Sequence, residues 1–274
     1  MRFLSLVSGS SGNASLIATD STRILVDCGI SAKKTDTLLK EAGIEKGLHG
    51  IDALILTHEH SDHIKGVKRL MSAYGIPVYG SSGTLSALSA ATKDEYFNYA
   101  GRELMEPVRA DFEFSIGDIH ILPFNIYHDA AEPYAYRFEI YEGDKCTETA
   151  LMTDCGHFDD YICDHLTELD AVLMEANHDP VMLQNGPYPM MLKRRIISGR
   201  GHLSNASAGE LLAKIFQPKL KKVKLGHLSK ENNTPELAVA TVRDTLINLR
   251  GTETAGLVDI AAASPEILTE VYAD

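Results

Sequence analysis

Short apolar segments alternate along this chain with amphipathic ones, and clusters of Gly, Asn, Asp and Ser separate them. Apolar runs of about four to eight residues are typical of buried strands, and strict alternation of apolar and polar residues is typical of half-buried ones. The two patterns predict strands at residues 3–7, 15–19, 23–27, 53–57, 78–79, 112–116, 119–124, 134–141, 148–153, 171–175 and 223–227.

Apolar residues three or four positions apart predict helices at residues 32–42, 62–75, 83–91, 204–216 and 234–249. Thr234 is a suitable N-cap for the last of them, with Pro235 at its first position. Ser204 or Asn205 caps the helix before it. The order of elements predicts an α/β (α+β) fold in which two β-rich halves, each covered by helices, form one domain over residues 1–274.

Composition narrows the class of protein. Hydrophobic residues make up 44% of the chain and charged residues 23%, as is ordinary for a globular protein. The net charge of −12 excludes a uniformly basic nucleic-acid binder but leaves room for a local basic patch. No segment approaches the roughly 18 apolar residues of a membrane span, and the N-terminus lacks the long apolar region of a signal peptide. We therefore expect a cytoplasmic protein with no membrane partner.

The four cysteines are spaced too irregularly for a zinc ribbon or a redox motif, because none forms a C-x-x-C pair. They are Cys28, Cys146, Cys155 and Cys163. Free buried thiols are the simpler interpretation, and they suit a reducing compartment.

The segment THEHSDH, residues 57–63, directly follows a predicted strand and holds the densest group of metal-ligand types in the chain. His58 and His60 are two positions apart, so on an extended segment they point the same way. Asp62 and His63 fall where the chain turns into a helix, which places a second pair beside the first. This spacing suits two adjacent metal ions. A polar loop with solvated histidines is the alternative, and four ligand-type residues at this spacing disfavour it.

Further ligand-type residues occur where other predicted strands end. His128, Asp154 and His227 each lie at the junction of a strand and a loop. A carboxylate commonly bridges two metal ions, so Asp154 is the natural candidate for the bridge.

This arrangement resembles the metallo-β-lactamase superfamily, in which an H-x-H-x-D-H motif after a strand is followed by spaced His, Asp and His. The resemblance covers nearly the whole chain and implies a four-layered αβ/βα sandwich with a dinuclear site at one edge. It implies that His58, His60 and His128 hold one metal ion, that Asp62, His63 and His227 hold the other, and that Asp154 is shared. Asp27 matches the early aspartate that supports a ligating histidine from behind. Such ligands accept Zn²⁺, Mn²⁺ and Fe alike, so the two divalent ions stay unidentified.

A closer resemblance is to the YycJ/WalJ (VicX) family, a bacterial branch related to RNase Z and RNase J. The matching segments are SGSSGN (8–13), THEHSDHIKGV (57–67), HDAAEP (128–133), TDCG (153–156), EANHD (175–179), GHLSN (201–205) and LSKENN (228–233). The family usually has Thr where this chain has Cys155. The resemblance implies a metal-dependent phosphodiesterase, a 5′-to-3′ DNA exonuclease, in which hydroxide activated by two metal ions attacks phosphorus. The implied partner is a nucleic acid, DNA rather than RNA.

Two residues outside the metal set suggest the rest of that chemistry. The related nucleases pair a histidine with an acid to protonate the leaving oxygen, and Glu175 with His202 fits this role, while Asp62 would orient the attacking water. A carboxylate beside an imidazole raises its pKa and fixes its tautomer. His178 competes with His202 for the role. The alternative is that Glu175 merely ends a strand and His202 caps a helix.

Candidate substrate-binding residues lie in two other segments. Lys193, Arg194 and Arg195 precede His202 and could hold backbone phosphates, although a run of charge is often only a solvated surface. Asn13 closes a Gly/Ser loop whose backbone N–H groups could hold an anion, or which could be an ordinary turn.

The main rival function is a small-molecule thioester or ester hydrolase of the glyoxalase-II-like type, which shares the histidine motif and the bridging aspartate. Such enzymes normally carry a C-terminal helical region for substrate binding, and we find no such pattern here. Secreted zinc β-lactamases place a cysteine among the ligands. Cys155 adjoins Asp154, but neighbours on a strand point to opposite faces. A third hypothesis is a binding protein without catalytic activity, and the complete set of predicted metal ligands disfavours it.

Overall fold

Two seven-stranded sheets form the centre of the computed structural model, which describes residues 1–91 and 101–273. The first sheet contains β1 (Arg2–Val7), β2 (Ala14–Ala18), β3 (Arg23–Val26), β4 (Ala53–Ile55), β5 (Val78–Gly80), β6 (Met105–Pro107) and β14 (Thr269–Ala273). The second contains β7 (Phe114–Ile116), β8 (Ile119–Asn125), β9 (Tyr134–Glu142), β10 (Lys145–Met152), β11 (Ala171–Glu175), β12 (Lys222–Gly226) and β13 (Asp259–Ala262).

Helices accompany both sheets, and those that pack on the sheets cover their outer faces. On the first half they are α1 (Ala32–Glu41), α2 (Ser61–Ile64), α3 (Val67–Tyr74) and α4 (Ser82–Ala91). On the second half they are α5 (Asp160–His165), α6 (Pro180–Asn185), α7 (Met190–Ile196), α8 (Asn205–Ile215), α9 (Pro235–Arg250) and α10 (Thr252–Gly256). None of the helices within the described ranges is both long enough and apolar enough to cross a membrane.

Both sheets have the same plan. The first has the order β14-β1-β2-β3-β4-β5-β6 and the second has the order β13-β12-β11-β10-β9-β8-β7. In each, an antiparallel part continues into a parallel part, which begins with β3 and β4 in one sheet and with β10 and β11 in the other. Parallel neighbours end at the same edge of a sheet, so the loops that follow them are gathered there.

Three apolar layers hold the sheets and helices together. Phe3, Ile24, Tyr136 and Phe138 lie in the cluster between the two sheets, and all four are buried. Alternate residues of the same strands face outward, where one cluster joins the first sheet to α1 and α3 and another joins the second sheet to α8 and α9. Successive side chains of a strand point to opposite faces of the sheet, so these strands contribute apolar residues to two buried layers. The predicted four-layered sandwich is confirmed.

The predicted helix at residues 62–75 is wrong in one respect, since the structure divides it into α2 and α3. Gly66 lies at the break, and a Cβ atom there would come within 2.4 Å of Sγ of Cys28 and 2.5 Å of the carbonyl oxygen of Ile30. The chain bends at Gly66 because it packs directly against the loop after β3.

Other differences concern short elements and strand ends. The sequence pattern missed β6, β13, β14, α5, α6, α7 and α10, each of seven residues or fewer. The strands predicted at residues 23–27 and 53–57 end earlier, at Val26 and Ile55. Of the two N-cap candidates, Ser204 is the one whose side chain accepts a hydrogen bond, from the backbone N–H of Ser207.

Candidate metal centre

Five strands end at one place, and a titratable group stands at or just after each end. Asp27 follows β3, Asp154 follows β10, and His227 follows β12, whereas Glu175 is the last residue of β11. Residues 57–63 lie in the loop after β4 and in α2. The parallel parts of both sheets therefore deliver these groups to a common edge.

Three of these residues have a left-handed backbone. The φ angles of Asp27, Asp154 and His227 are 61°, 59° and 53°. Within the described residues only two other non-glycine positions, Asp111 and Glu168, have positive φ. This conformation costs on the order of 1–3 kcal/mol at an L-residue, and it persists where the surrounding structure enforces it. Because this strained conformation occurs at three neighbouring strand ends, we infer that this edge is a functional site.

The first ligand cluster consists of His58, His60 and His128, which each place a ring nitrogen within 4.8 Å of the others. Nδ1–H of His128 donates to the carbonyl oxygen of Gly201 at 3.1 Å, since a carbonyl can only accept. In the neutral ring, Nε2 of His128 is therefore unprotonated, and it lies 3.2 Å from Nδ1 of His60.

His58 has a buried lone pair without a partner. The Thr57 hydroxyl donates to Asp27 at 2.8 Å, so its oxygen is free to accept from Nδ1–H of His58 at 3.0 Å. Nε2 of His58 then keeps its lone pair, and no described residue forms a hydrogen bond with it. Burial, together with the neighbouring His63, keeps the pKa of His58 well below its ordinary value. An orphaned buried nitrogen is costly, and a cation would satisfy it.

The second cluster consists of Asp62, His63 and His227, again with ligand atoms within 4.8 Å of one another. Nδ1–H of His63 donates to Asp27 at 2.7 Å, and Nδ1–H of His227 donates to Glu175 at 2.8 Å. The Nε2 atoms of the two rings lie 3.6 Å and 3.4 Å from the same oxygen of Asp62. A carboxylate behind each imidazole is the usual support of a metal-ligating histidine.

Carboxylates around this cluster favour positive charge on its two imidazoles. Burial opposes protonation of His227, but Asp154, Asp62 and Glu175 raise its pKa to about 10. Burial likewise opposes protonation of His63, and Asp154 and Asp27 raise its pKa well above the ordinary value. The carboxylates therefore attract positive charge into the site.

Asp154 lies between the two clusters. One carboxylate oxygen is 3.3 Å from Nδ1 of His227 and 3.9 Å from Nε2 of His128, and the other is 3.2 Å from Nε2 of His63. Burial would raise the pKa of Asp154, but His227 and His63 keep it well below the ordinary value. The structure thus places an ionised carboxylate within reach of both clusters.

Glu175 links the ligand set to a histidine outside it. One oxygen accepts from Nδ1–H of both His202 and His227, each at 2.8 Å, and the other accepts from the backbone N–H of Cys155 and Leu203 at 3.0 Å. Burial would raise the pKa of Glu175, but the two imidazoles and their hydrogen bonds lower it to about 2. His202 is therefore held in the tautomer that carries its ring proton on Nδ1.

His178, the competing histidine, has no hydrogen bond to Glu175. Its ring is buried, Nδ1 has no partner among the described residues, and burial lowers the pKa of His178 to about 4. Of the two candidates, the structure pairs only His202 with the buried acid.

A cleft of about 270 Å³ opens at this edge, and ligands from both clusters line it together with His202. Sequence analysis did not single out several of its other lining residues, which are Ser10, Asn177, Tyr188, Leu192, Ile196 and Ser229. Ser10, Asn177 and Ser229 lie within segments that the family resemblance had matched. The apolar members had no sequence signal, because the pattern of a short helix does not tell which face meets a cleft.

The three candidate cations on α7 occupy different positions. Arg195 lines the cleft and donates from Nη2 to Asp129 at 3.1 Å. Nζ of Lys193 donates to the carbonyl oxygen of Gln184 at 2.7 Å, and Arg194 is exposed. Asp129 directly follows the candidate ligand His128 and is the partner of Arg195, and sequence reasoning did not single it out.

Asn13 is directed towards the ligands and does not line the cleft. Its side-chain oxygen accepts from the backbone N–H of Gly9 at 3.1 Å, which fixes the orientation of the amide. Nδ2 of Asn13 then lies 3.1 Å from Nε2 of His63. The side chain therefore ties the Gly/Ser loop to the second cluster.

The residues present fit two divalent cations. Seven imidazole and carboxylate side chains supply their ligand atoms in two adjoining groups, and these are the donors that Zn²⁺ and Mn²⁺ accept. The unpartnered Nε2 of buried His58 is the observation that argues most directly for a cation.

The sequence model of the β-lactamase superfamily domain matches residues 22–222, which include every predicted ligand except His227. The chain belongs to the β-lactamase superfamily. The predicted resemblance is thereby confirmed.

Relatives within the superfamily extend over most of the chain. The exodeoxyribonuclease WalJ of Streptococcus pneumoniae serotype 2 (strain D39) is 39% identical over 241 residues, which cover 88% of this chain and 86% of the relative. The exodeoxyribonuclease YycJ of Bacillus anthracis is 36% identical over 252 residues, which cover 90% and 89%. Among solved structures, the metallo-β-lactamase fold protein YhfI of Bacillus subtilis superposes with a TM-score of 0.65 at 17% identity, covering 98% of this chain and all of the other. That likeness shows the fold.

Proposed function

We propose that this protein is a metal-dependent phosphodiesterase that acts on nucleic acid, and that it is a 5′-to-3′ DNA exonuclease. The observation that carries the proposal is the hydrogen bond between Nδ1 of His202 and buried Glu175 at the wall of the cleft. A departing alkoxide requires a proton donor, whereas a departing thiolate leaves without one. Relatives named exodeoxyribonucleases, similar along most of the chain, support DNA as the substrate.

The two clusters would hold the metal ions. His58, His60 and His128 are assigned to one ion and Asp62, His63 and His227 to the other, with Asp154 between them. Bound divalent ions supply a lowered pKa for coordinated water and positive charge beside the phosphoryl oxygens. We infer Zn²⁺ or Mn²⁺, and Fe fits the same donors.

The chain's own residues account for the proton transfers. Burial would raise the pKa of Asp62, but its hydrogen bond to His227 and the charge of His63 lower it, so the carboxylate is ionised and accepts a hydrogen bond from the attacking water. In its doubly protonated form, His202 keeps Nδ1–H bonded to Glu175 and donates its Nε2 proton to the departing 3′ oxygen.

The cations on α7 would position the substrate. Arg195 reaches the cleft, and Lys193 and Arg194 lie on the same helix, so a strand that enters the cleft meets positive charge beside its phosphates. Asn13 would act indirectly, by holding His63 and the Gly/Ser loop in place.

We further propose that residues 1–274 form one domain and that the protein works in the cytoplasm. The four cysteines are free in the structure, as a reducing compartment requires.

A nuclease assay tests the proposed function. The purified protein, supplied with Mn²⁺ or Zn²⁺, is incubated with end-labelled double-stranded DNA, single-stranded DNA and RNA, with His60→Ala as the control. We expect stepwise shortening of DNA from the 5′ end by the wild type and none by the variant. Absence of cleavage of any nucleic acid by protein that holds two metal ions would contradict the proposal. The glyoxalase-II-like thioester or ester hydrolase is not favoured by the relatives, and it would become the function to test in that case.

A further inference from the structure

Exposed apolar side chains are concentrated beside the cleft, in the segment that contains α6 and α7. Of the ten large apolar side chains exposed in the described part of the chain, four lie between residues 180 and 197. They are Val181, Met190, Met191 and Ile197, with exposed fractions from 63% to 85%. A dense group of exposed apolar residues commonly marks a surface that another molecule covers.

Helical spacing places part of this group at the rim of the cleft. Leu192 and Ile196 both line the cleft and are four positions apart on α7. Met191 and Arg195 are also four positions apart, so they share the neighbouring stripe. Because Arg195 lines the cleft and Met191 is 85% exposed, this stripe is the boundary between the cleft and the outer surface.

The next stripe outward carries apolar and cationic residues together. Met190, Arg194 and Ile197 follow one another at intervals of four and three positions, and all three are exposed. The surface formed by Met190, Met191, Arg194 and Ile197 is called the rim face below.

The charge of the rim face identifies the kind of molecule that would cover it. The chain as a whole has a net charge of −12, yet the rim face carries the exposed Arg194 and adjoins Arg195, which is paired with Asp129. A polyanion is attracted to such a place, whereas a second copy of the chain would set like charges against each other. Apolar side chains beside cations also suit nucleobases joined to phosphates.

The size of the cleft explains why nucleobases would be exposed there. A cleft of about 270 Å³ has room for a small ligand and not for two paired strands. We therefore expect a nucleic acid that reacts at its floor to enter as one strand, separated from its partner. Apolar side chains, Met among them, can insert between base steps and partly unstack them.

We infer that the rim face binds the opened end of a DNA duplex and keeps the strands apart while one of them enters the cleft. This inference rests on the proposed nuclease function and adds to it a preference for duplex ends. Met190 and Met191 contact the bases, and Arg194 contacts the phosphates of the strand that stays outside.

The test compares the wild type with the double variant Met190→Ser and Met191→Ser, with Leu249→Ser as the matched control. Leu249 lies on α9 and is 57% exposed, so its substitution changes an exposed apolar position that does not line the cleft. Three substrates are digested under the same conditions: a blunt DNA duplex, the single strand of the same sequence, and bis(4-nitrophenyl) phosphate. Thermal unfolding verifies that each variant is folded.

We expect the double variant to digest the duplex about tenfold more slowly relative to the single strand, since loss of base contacts costs roughly that factor. Hydrolysis of the small diester stays at the wild-type rate, and Leu249→Ser behaves as the wild type on all three substrates. An unchanged ratio of duplex to single-strand digestion in the double variant would overturn the inference. An unchanged ratio combined with a change from dimer to monomer in sedimentation would assign the rim face to a second copy instead. A wild type that hydrolyses the small diester but no DNA would overturn the proposed function, and the rim-face inference with it.

Discussion

At the scale of single residues, three of the candidate ligand rings are held by what their Nδ1 atoms contact. Nδ1 of His63 is held by Asp27, that of His227 by Glu175, and that of His128 by the carbonyl of Gly201. These contacts select the tautomer and direct Nε2 towards the cluster. The ligand atoms are therefore arranged before any ion binds.

Because His60 is a candidate ligand and His202 a candidate proton donor, we expect their substitution to have different effects. His60→Ala removes a ligand and should abolish both metal loading and nuclease activity, because one cluster is left with two imidazoles. His202→Ala removes the proton donor and should lower activity at least a hundredfold while metal content stays at the wild-type level. Metal analysis and the nuclease assay measure the two properties, with His120→Ala, a half-buried histidine outside both clusters, as the control. Equal loss of metal in both variants would contradict the role of His202.

Asp27 is predicted to orient the candidate ligand His63 without binding metal itself, and a substitution tests this role. Asp27→Asn keeps the shape but removes the charge that faces Nδ1 of His63 at 2.7 Å. Metal affinity should fall about 10- to 100-fold, as is usual when the partner of a ligating histidine is changed. Competition with a chelator measures the affinity, and Asp20→Asn in an exposed turn is the control. Retention of wild-type affinity would show that Asp27 has only a structural role.

At the scale of elements, the site depends on close packing between α2 and the loop after β3. The backbone N–H of Asn13 donates to the carbonyl of Asp62 at 2.8 Å, and that of Cys28 donates to the carbonyl of His63 at 2.8 Å. These bonds hold the short α2 in place although its own four residues could not form a stable helix. The position of the second ligand cluster therefore depends on tertiary contacts.

Gly29 is the position where this packing is closest. A Cβ atom there would lie 1.6 Å from the carbonyl oxygen of Asp62 and 2.7 Å from the backbone nitrogen of Asn13. Gly29→Ala should therefore displace α2, lower the free energy of unfolding by about 1–3 kcal/mol and weaken metal binding. Urea unfolding and chelator competition measure these effects. Gly256→Ala, with no atom within 4 Å of the added group, is the matched control and should leave both unchanged.

At the scale of the whole molecule, the site joins the two halves of the sandwich. His58 and His60 follow β4 of the first sheet, whereas Asp154 and His227 follow strands of the second. Ions bound between them would connect loops that are distant in the chain. Binding to the folded state alone stabilises it, so ions bound here would contribute to the stability of the entire sandwich.

Removal of metal should therefore lower the melting temperature. We expect treatment with EDTA to reduce Tm by about 5 °C or more, and we expect added Zn²⁺ or Mn²⁺ to restore it. Differential scanning calorimetry measures the change. His60→Ala should respond far less than the wild type, and an equal response would place the stabilising ions elsewhere.

Much of the fold followed from local pattern. Strand and helix positions are set by periodicity that neighbouring residues share, so most long elements were predicted within a few residues of their ends. The short elements were missed, since α6 and α7 have too few turns to display a period, and β6, β13 and β14 are strands only because the sheets extend to them. The break at Gly66 was also unpredictable, because it results from contact with Cys28.

The candidate site likewise combines features that neighbouring residues determine with features that depend on residues far apart in the chain. By itself the sequence determined which residues could ligate, because H-x-H-x-D-H and the strand-end His and Asp residues are local features. That these residues hold metal stays a prediction. Only the tertiary structure decided that Glu175 is shared by His202 and His227, that Asn13 faces His63, and that one side of α7 borders the cleft. These outcomes depend on pairs of groups far apart in the chain, whose meeting is decided by how the sheets and helices pack.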